Sequence, residues 1–302
     1  MMFNMTLHII GNGFDRHHDM PTEYSDFCKY AWSHTKDKGY YLGLLETVYP
    51  KTNISTGRLE LWSNLEKALG EPDFKATFEE TTEDIELEEG HEGRFQAQKE
   101  DAPEYFLRDM FDVFHKIFRE WMESVEISDE PSVIPEFDPQ GLFLSFNYTE
   151  TLESLYGIPR EKINYIHGRR NSKDELIVGH NNDLDGRDYL SEDPMIYEYR
   201  AYDVIADVIN DERKRVSDIL NYNHQYWTTL RDVNKVVVYG HSLSGVDLPY
   251  FLKIKEYIQP NAEWHFSIHF ENSIQKDSEL NKINNFIAEV GINKANCHTF
   301  NF

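Results

Sequence analysis

The chain has 302 residues, 40% of them hydrophobic and 14% aromatic, which is enough apolar material for a full buried core. Its formal net charge of −24 at pH 7 excludes a broad electrostatic grip on a polyanion, so direct binding of DNA or RNA is not expected. Its two cysteines, Cys28 and Cys297, exclude a cysteine-built zinc cluster, and with no leader-like segment and no run of about eighteen apolar residues the expectation is a cytoplasmic protein with no membrane contact.

Taken in order, the first predicted element is a short apolar strand over 7–10 that runs into Gly11-Asn12-Gly13-Phe14-Asp15. Glycine at both positions permits a tight turn and close approach of a ligand to the main chain, and a phosphate or ribose is the natural guest. Pro21 then breaks the pattern, and Thr22 is placed to cap a helix starting at Glu23. His17 and His18 are adjacent, so on extended backbone their side chains diverge, and solvated loop histidines are expected rather than metal ligands. Residues 61–69 carry helical apolar spacing with Gly70 as the stop. The span 79–104 is dense in Glu and Asp and reads as a solvated loop or mobile insertion, whereas 105–125 returns to a wide aromatic stripe at three- and four-residue steps, which reads as core.

A second strand over 141–146 ends in Asn147-Tyr148-Thr149 and leads to a helix over 151–156. A third over 163–166 ends in His167-Gly168, and a fourth over 176–178 ends in Gly179-His180-Asn181. The stretch 183–221 is acidic and then helical. Residues 235–239 form the most continuous apolar run, as expected of a central strand covered on both faces, and end in Gly240-His241-Ser242. A helix comes next, with Asp247 at its cap and Pro249 in its first turn. Strands over 264–270 and 297–302, separated by a helix over 280–290, close the chain. Alternation of strand and helix predicts an α/β fold with a mostly parallel sheet. In such a sheet the carboxyl ends of the strands share one crevice, so the turns at Gly11, Asn147, His167 and Gly240 are expected to converge.

The ordered set Gly11-Asn12-Gly13-Phe14-Asp15, Pro21-Thr22, Tyr24-Ser25-Asp26-Phe27, Trp62 with Leu65-Glu66, Phe146-Asn147-Tyr148-Thr149, His167-Gly168 and Gly240-His241-Ser242-Leu243 with Asp247 resembles the AbiH family of phage abortive-infection proteins. That family is similar in turn to sirtuin-like proteins, including defence enzymes that hydrolyse NAD. The resemblance implies a single Rossmann-like α/β domain over 1–302, with a mostly parallel sheet flanked by helices, a helical insertion over 28–135 that includes the acidic loop 79–104, and a second helical segment over 183–231. It further implies that Gly11 and Gly13 cradle a pyrophosphate, Asn147 positions ribose or water, His167 is the base and Ser242 holds a ribose hydroxyl. Asn12, Phe14, Tyr148, Thr149, Gly168, Gly240, His241 and Asp247 join them as ligand contacts.

The sequence departs from the sirtuin-like pattern in four respects. Thr149 stands where that pattern has an acid, and Asp15 stands where it has a small hydroxyl residue, so Asp15 is the candidate to supply the missing negative charge. The Arg that comes after the first-loop Pro is absent, with Tyr24 near its place, and there is no zinc-binding cysteine quartet. The expected activity is hydrolysis of NAD or a related nucleotide at the nicotinamide–ribose bond, with no metal. A nucleotide-signal sensor without turnover is the alternative. His241 is a rival base, Asp247 doubles as a helix cap, and Asn147 doubles as a turn former. A small-molecule nucleotide is the expected partner, with a homo-oligomer or a phage-derived activator as the means of control and the acidic stretch 79–104 as a candidate regulatory element.

Overall fold

A computed structural model describes residues 5–34, 39–50, 65–128, 130–270 and 272–302. Among the described residues, six strands, β1 (Met5–Ile10), β2 (Leu142–Ser145), β3 (Ile163–Tyr165), β4 (Val233–Tyr239), β5 (Glu263–Ile268) and β6 (Cys297–Asn301), form one sheet in the order β3-β2-β1-β4-β5-β6. Every pairing in it is parallel. The strand order reverses between β1 and β4, which is the place where open α/β sheets of this kind bind ligands. The protein is therefore an α/β protein of Rossmann-like architecture, as its strand and helix alternation predicts.

The two central strands are apolar on both faces because both faces are covered. Leu7, Ile9, Val236 and Val238 enter one core with Trp227, Phe251 and Phe266, while Ile10, Val237 and Tyr239 enter the other with Phe14 and Phe143. Thr6 and His8 are the polar exceptions in β1; His8 is fully buried and stacks on Phe143 with ring centroids 4.8 Å apart.

The first helices are α1 (Asn12–Arg16), α2 (Tyr24–His34), α3 (Gly39–Val48), α4 (Leu65–Leu69), α5 (Phe74–Thr82) and α6 (Glu92–Ser124). The later ones are α7 (Thr151–Tyr156), α8 (Ile196–Asp211), α9 (Val216–Tyr222), α10 (His224–Thr229), α11 (Leu248–Tyr257) and α12 (Ser273–Val290). The chain divides into two compact units. One comprises Met1–Thr22, Met122–Ile177 and Arg215–Phe302 and carries the whole sheet; the other comprises Glu23–Trp121 and Val178–Lys214 and is helical. Within the helical unit the aromatic stripe of α6 is core: Phe27 meets Phe114, Phe118 and Trp121 at centroid distances of 5.3 to 5.5 Å. The same unit buries Lys214, whose ammonium donates to Glu66 at 2.5 Å while Tyr24 donates to the same carboxylate oxygen at 2.9 Å. Among the described residues, no helix is long and apolar enough to cross a membrane.

Several expectations are corrected. The strand over 176–178 does not form. That segment joins no ladder; its Ile177 amide instead donates to the His167 carbonyl at 2.9 Å. The acidic stretch 79–104 is not a loop: residues 79–82 complete α5, 92–104 open α6, and only 83–91 lie outside a helix. Glu, Gln, Ala and Lys in that stretch are strong helix formers, so exposure without a hydrophobic face does not prevent a helix anchored by its apolar continuation. Helix α2 begins at Tyr24, and the Thr22 hydroxyl is buried with no hydrogen-bond partner among the described residues, so it caps nothing. His18 is not a solvated loop residue. Its ring nitrogens lie 2.7 Å from the Phe14 carbonyl and 2.6 Å from the Tyr156 hydroxyl, while His17 stacks on Phe302. Of the helix expected over 61–69, 65–69 is observed as α4; Trp62 lies outside the described residues.

Candidate functional site at the strand ends

Where the strand order reverses, the turn after β1 and the turn after β4 touch through their backbones. Gly11 donates its amide to Tyr239 at 2.9 Å and Gly13 donates to Gly240 at 2.8 Å. A Cβ on Gly13 would stand 2.6 Å from the Gly240 Cα, and one on Gly11 would stand 2.5 Å from the His241 Cα. Gly240 itself has φ +55°, and a Cβ there would lie 2.4 Å from the Gly13 main chain. These glycines make room for each other's backbone. Their amides, with that of Phe14 donated to Gly11 at 2.9 Å, are thus already engaged, and Asn12 is the exposed member of the turn. Phe14 is fully buried and packs edge-on to Tyr239, which anchors the turn to the core.

The turn after β2 is fastened to the first by a buried polar cluster. Asp15, 1% exposed, accepts the Thr149 hydroxyl at 2.6 Å and the Thr151 hydroxyl at 2.7 Å. The Asn147 amide donates to the Gly11 carbonyl at 3.1 Å and lies beside the Asp15 carboxyl. Burial pushes the Asp15 carboxyl up from its ordinary value, and the bonds from Thr149 and Thr151, with the neighbouring Asn147 amide, offset part of that rise. Asp15, Asn147 and Thr149 therefore come together as expected of neighbouring sites, with both Asp15 oxygens occupied by hydroxyls.

The turn after β3 carries His167, 3% exposed, and Gly168 at φ +84°, where a Cβ would lie 2.0 Å from the Glu175 carbonyl. Tyr148 holds the same loop by donating its hydroxyl to Ile177 at 2.8 Å. The His167 ring lies near Phe146, Tyr250 and Tyr148, at centroid distances of 5.3, 5.8 and 6.4 Å. Phe146 is also edge-on to His241, with centroids 4.5 Å apart. One aromatic ring thus stands against both histidines.

His241 is held in a defined tautomer. Its Nδ1 accepts the Leu243 amide at 2.9 Å, so in the neutral ring the proton sits on Nε2, which faces the Asp247 carboxylate at 3.6 Å. Both side chains are nearly sealed, at 2% and 8% exposure. Asp247 also accepts the Ser244 hydroxyl at 3.2 Å, and although it occupies the N-cap of α11 it makes no capping bond. Leu243 reaches the His241 ring from φ +53°, a conformation that a non-glycine residue holds only when its surroundings dictate it. Ser242 is exposed. A buried imidazole oriented by a carboxylate is the arrangement that general acid–base chemistry uses.

The family profile described as "Bacteriophage abortive infection AbiH" matches residues 7–268, from β1 to the end of β5, and takes in every turn of this site. The chain belongs to the AbiH family. AbiH membership places it among bacteriophage abortive-infection proteins. No curated protein and no solved structure matches it.

Sequence reasoning missed three contributors to this candidate site. Thr151 holds Asp15, Tyr250 joins Phe146 in walling the histidines, and the Ser267 hydroxyl accepts the Gly240 amide at 2.8 Å. Thr151 carried a usable signal, since it stands two residues from Thr149 at the first turn of a helix. Ser267 and Tyr250 carried none, because strand and helix periodicity marks them only as core.

Proposed function

We propose that this AbiH-family chain acts in abortive infection by hydrolysing NAD, or a related nucleotide, at the nicotinamide–ribose bond, in the cytoplasm of the infected cell. The observation that carries this reading is the pair of buried histidines, His167 and His241, set against one ring of Phe146 at the carboxyl ends of parallel strands. The ribose carbon–nitrogen bond breaks, nicotinamide leaves as a neutral ring, and positive charge develops on the sugar. Water then adds to that carbon and gives its proton to His167. Asn147, fixed by Gly11 and beside Asp15, orients the reacting groups. Ser242 and the His241 and Asp247 pair hold ribose hydroxyls, and the exposed Asn12 faces the phosphates.

Asp15 serves this chemistry by positioning. A second reading, a nucleotide-signal sensor without turnover, draws on the same burial: an Asp15 carboxylate committed to two threonines supplies little charge to a sugar cation. A free NAD hydrolase depletes its own host, so the first reading includes control by a phage-derived activator or by self-association.

Incubating the purified chain with NAD and monitoring nicotinamide by chromatography tests the proposal. His167→Ala should lower turnover by roughly a hundredfold to ten-thousandfold while calorimetry still shows NAD binding. Binding with the nucleotide recovered intact from the wild type would select the sensor reading.

A further inference from the structure

Glu263 and His265 stand in the first half of β5, and His298 is the second residue of β6, away from the carboxyl ends that carry the nucleotide turns. His265 and His298 are direct partners in the parallel ladder, and Glu263 precedes His265 by two residues, so all three project from one face of the sheet. Among the described residues they form a His/His/Glu group whose ligand atoms lie within 4.8 Å of one another. The two imidazole rings have centroids 4.8 Å apart.

Two further observations point to a ligand here. His265 Nε2 is a buried atom with no hydrogen-bond partner, and it lies 3.6 Å from the Glu263 carboxylate, outside hydrogen-bond distance. On the other side of the ring, Nδ1 lies 3.8 Å from the carboxylate of Glu136, a residue held at φ +62°. Glu136 also accepts a hydrogen bond from Lys235, the ladder partner of Glu263. The charged and titratable groups that face His265 are thus Glu136, Glu263, Lys235 and His298.

We propose that Glu263, His265 and His298 bind one divalent transition-metal ion of the zinc class, with the Glu136 carboxylate orienting His265 from behind. Two imidazoles and a carboxylate are a ligand set that such ions take, leaving a position for water. Bonds of about 2.1 Å in a tetrahedral site place ligand atoms about 3.4 Å apart, so the widest separation, within 4.8 Å, closes by up to about 1.4 Å, a movement that rotation of the exposed Glu263 and His298 side chains supplies. The Glu136 carboxylate stands 3.8 Å behind the far nitrogen, and a small approach on metal binding would form the hydrogen bond that usually supports a metal-bound histidine. The site joins the edge strand β6 to β5, and His298 lies beyond the family match at residues 7–268, so the ion would be a property of this chain rather than of the matched region. Sequence spacing hides the set, because two ligands lie on one strand and the third comes after an intervening helix.

The test uses the full chain without an affinity tag, stripped with chelator and titrated with Zn²⁺ by calorimetry, and with Co²⁺ as a visible-absorption probe. The expected result is one ion per chain, with d–d bands on cobalt binding and a higher Tm with zinc. His298→Ala and Glu263→Gln, both at exposed positions, should keep the fold by circular dichroism and weaken binding at least tenfold; Glu136→Gln should weaken it about tenfold. No saturable uptake by the wild type would overturn the proposal, and so would uptake by folded His298→Ala equal to that of the wild type.

Discussion

Asp15 and His8 are titratable groups sealed inside the sheet unit, and they move stability in opposite directions with pH. Burial raises the Asp15 carboxyl, so its contribution is fullest below the ordinary carboxylate range and is lost as pH rises through its folded value. Replacing it with Ala leaves the Thr149 and Thr151 hydroxyls without their acceptor and should cost about 2 kcal/mol or more in urea unfolding. Asp15→Asn, which keeps an acceptor, should cost clearly less; equal losses would refute this role. His8 runs the other way. Burial lowers its pKa from 6.5 to about 4, so its contribution is present above pH 6.5 and is lost as pH falls toward 4. A shift of that size corresponds to roughly 3 kcal/mol. Wild type should therefore lose more stability between pH 7 and pH 4 than His8→Phe does, and parallel losses in the two proteins would contradict the assignment. The identity of Asp15 and Asn147 as turn residues was legible in the sequence. Their partnership was not, since Asp15 and Thr149 are 134 residues apart and only the parallel register of β1 and β2 joins them.

At the scale of elements, the glycine turns decide the site. The sequence marks Gly11, Gly13 and Gly240 as places where a ligand meets bare backbone, but the structure shows that the nearest bare backbone is their own. Gly240→Ala adds a Cβ to a residue at φ +55°, against main chain that has nowhere to move, and should cost about 3 kcal/mol or prevent folding. Gly245→Ala, five residues on, meets nothing within 4 Å and should lie within about 0.5 kcal/mol of wild type. Thermal unfolding of the two variants checks the contrast, and similar melting temperatures would contradict it. Continuous apolar runs made β1 and β4 readable, and the aromatic stripe made the core face of α6 readable, because burial on a defined face imposes a period. The segment 176–178 misled for the same reason. Leu176 and Val178 are buried, yet between them Ile177 bonds to Tyr148 and His167 in a loop rather than in a ladder. The acidic start of α6 had no apolar face to read, and its helix is set by propensity and by the apolar turns that continue it toward Ser124.

At the scale of the molecule, a parallel sheet in the order β3-β2-β1-β4-β5-β6 brings four sequence-distant turns to neighbouring strand ends, and AbiH membership supplies the biological setting. The fold class and the convergence of turns were legible because strand and helix alternation restricts connections to right-handed crossovers. The division of the chain into a sheet unit and a helical unit was visible only as two interruptions of the strand pattern. If the strand-end site destroys NAD during infection, the most direct measurement is cellular NAD after phage infection in cells carrying wild type or His167→Ala. NAD should fall sharply as phage growth stops with the wild type, and neither change should occur with the variant at equal protein level. Arrest of phage growth by the wild type with NAD unchanged would contradict NAD hydrolysis as the effector activity.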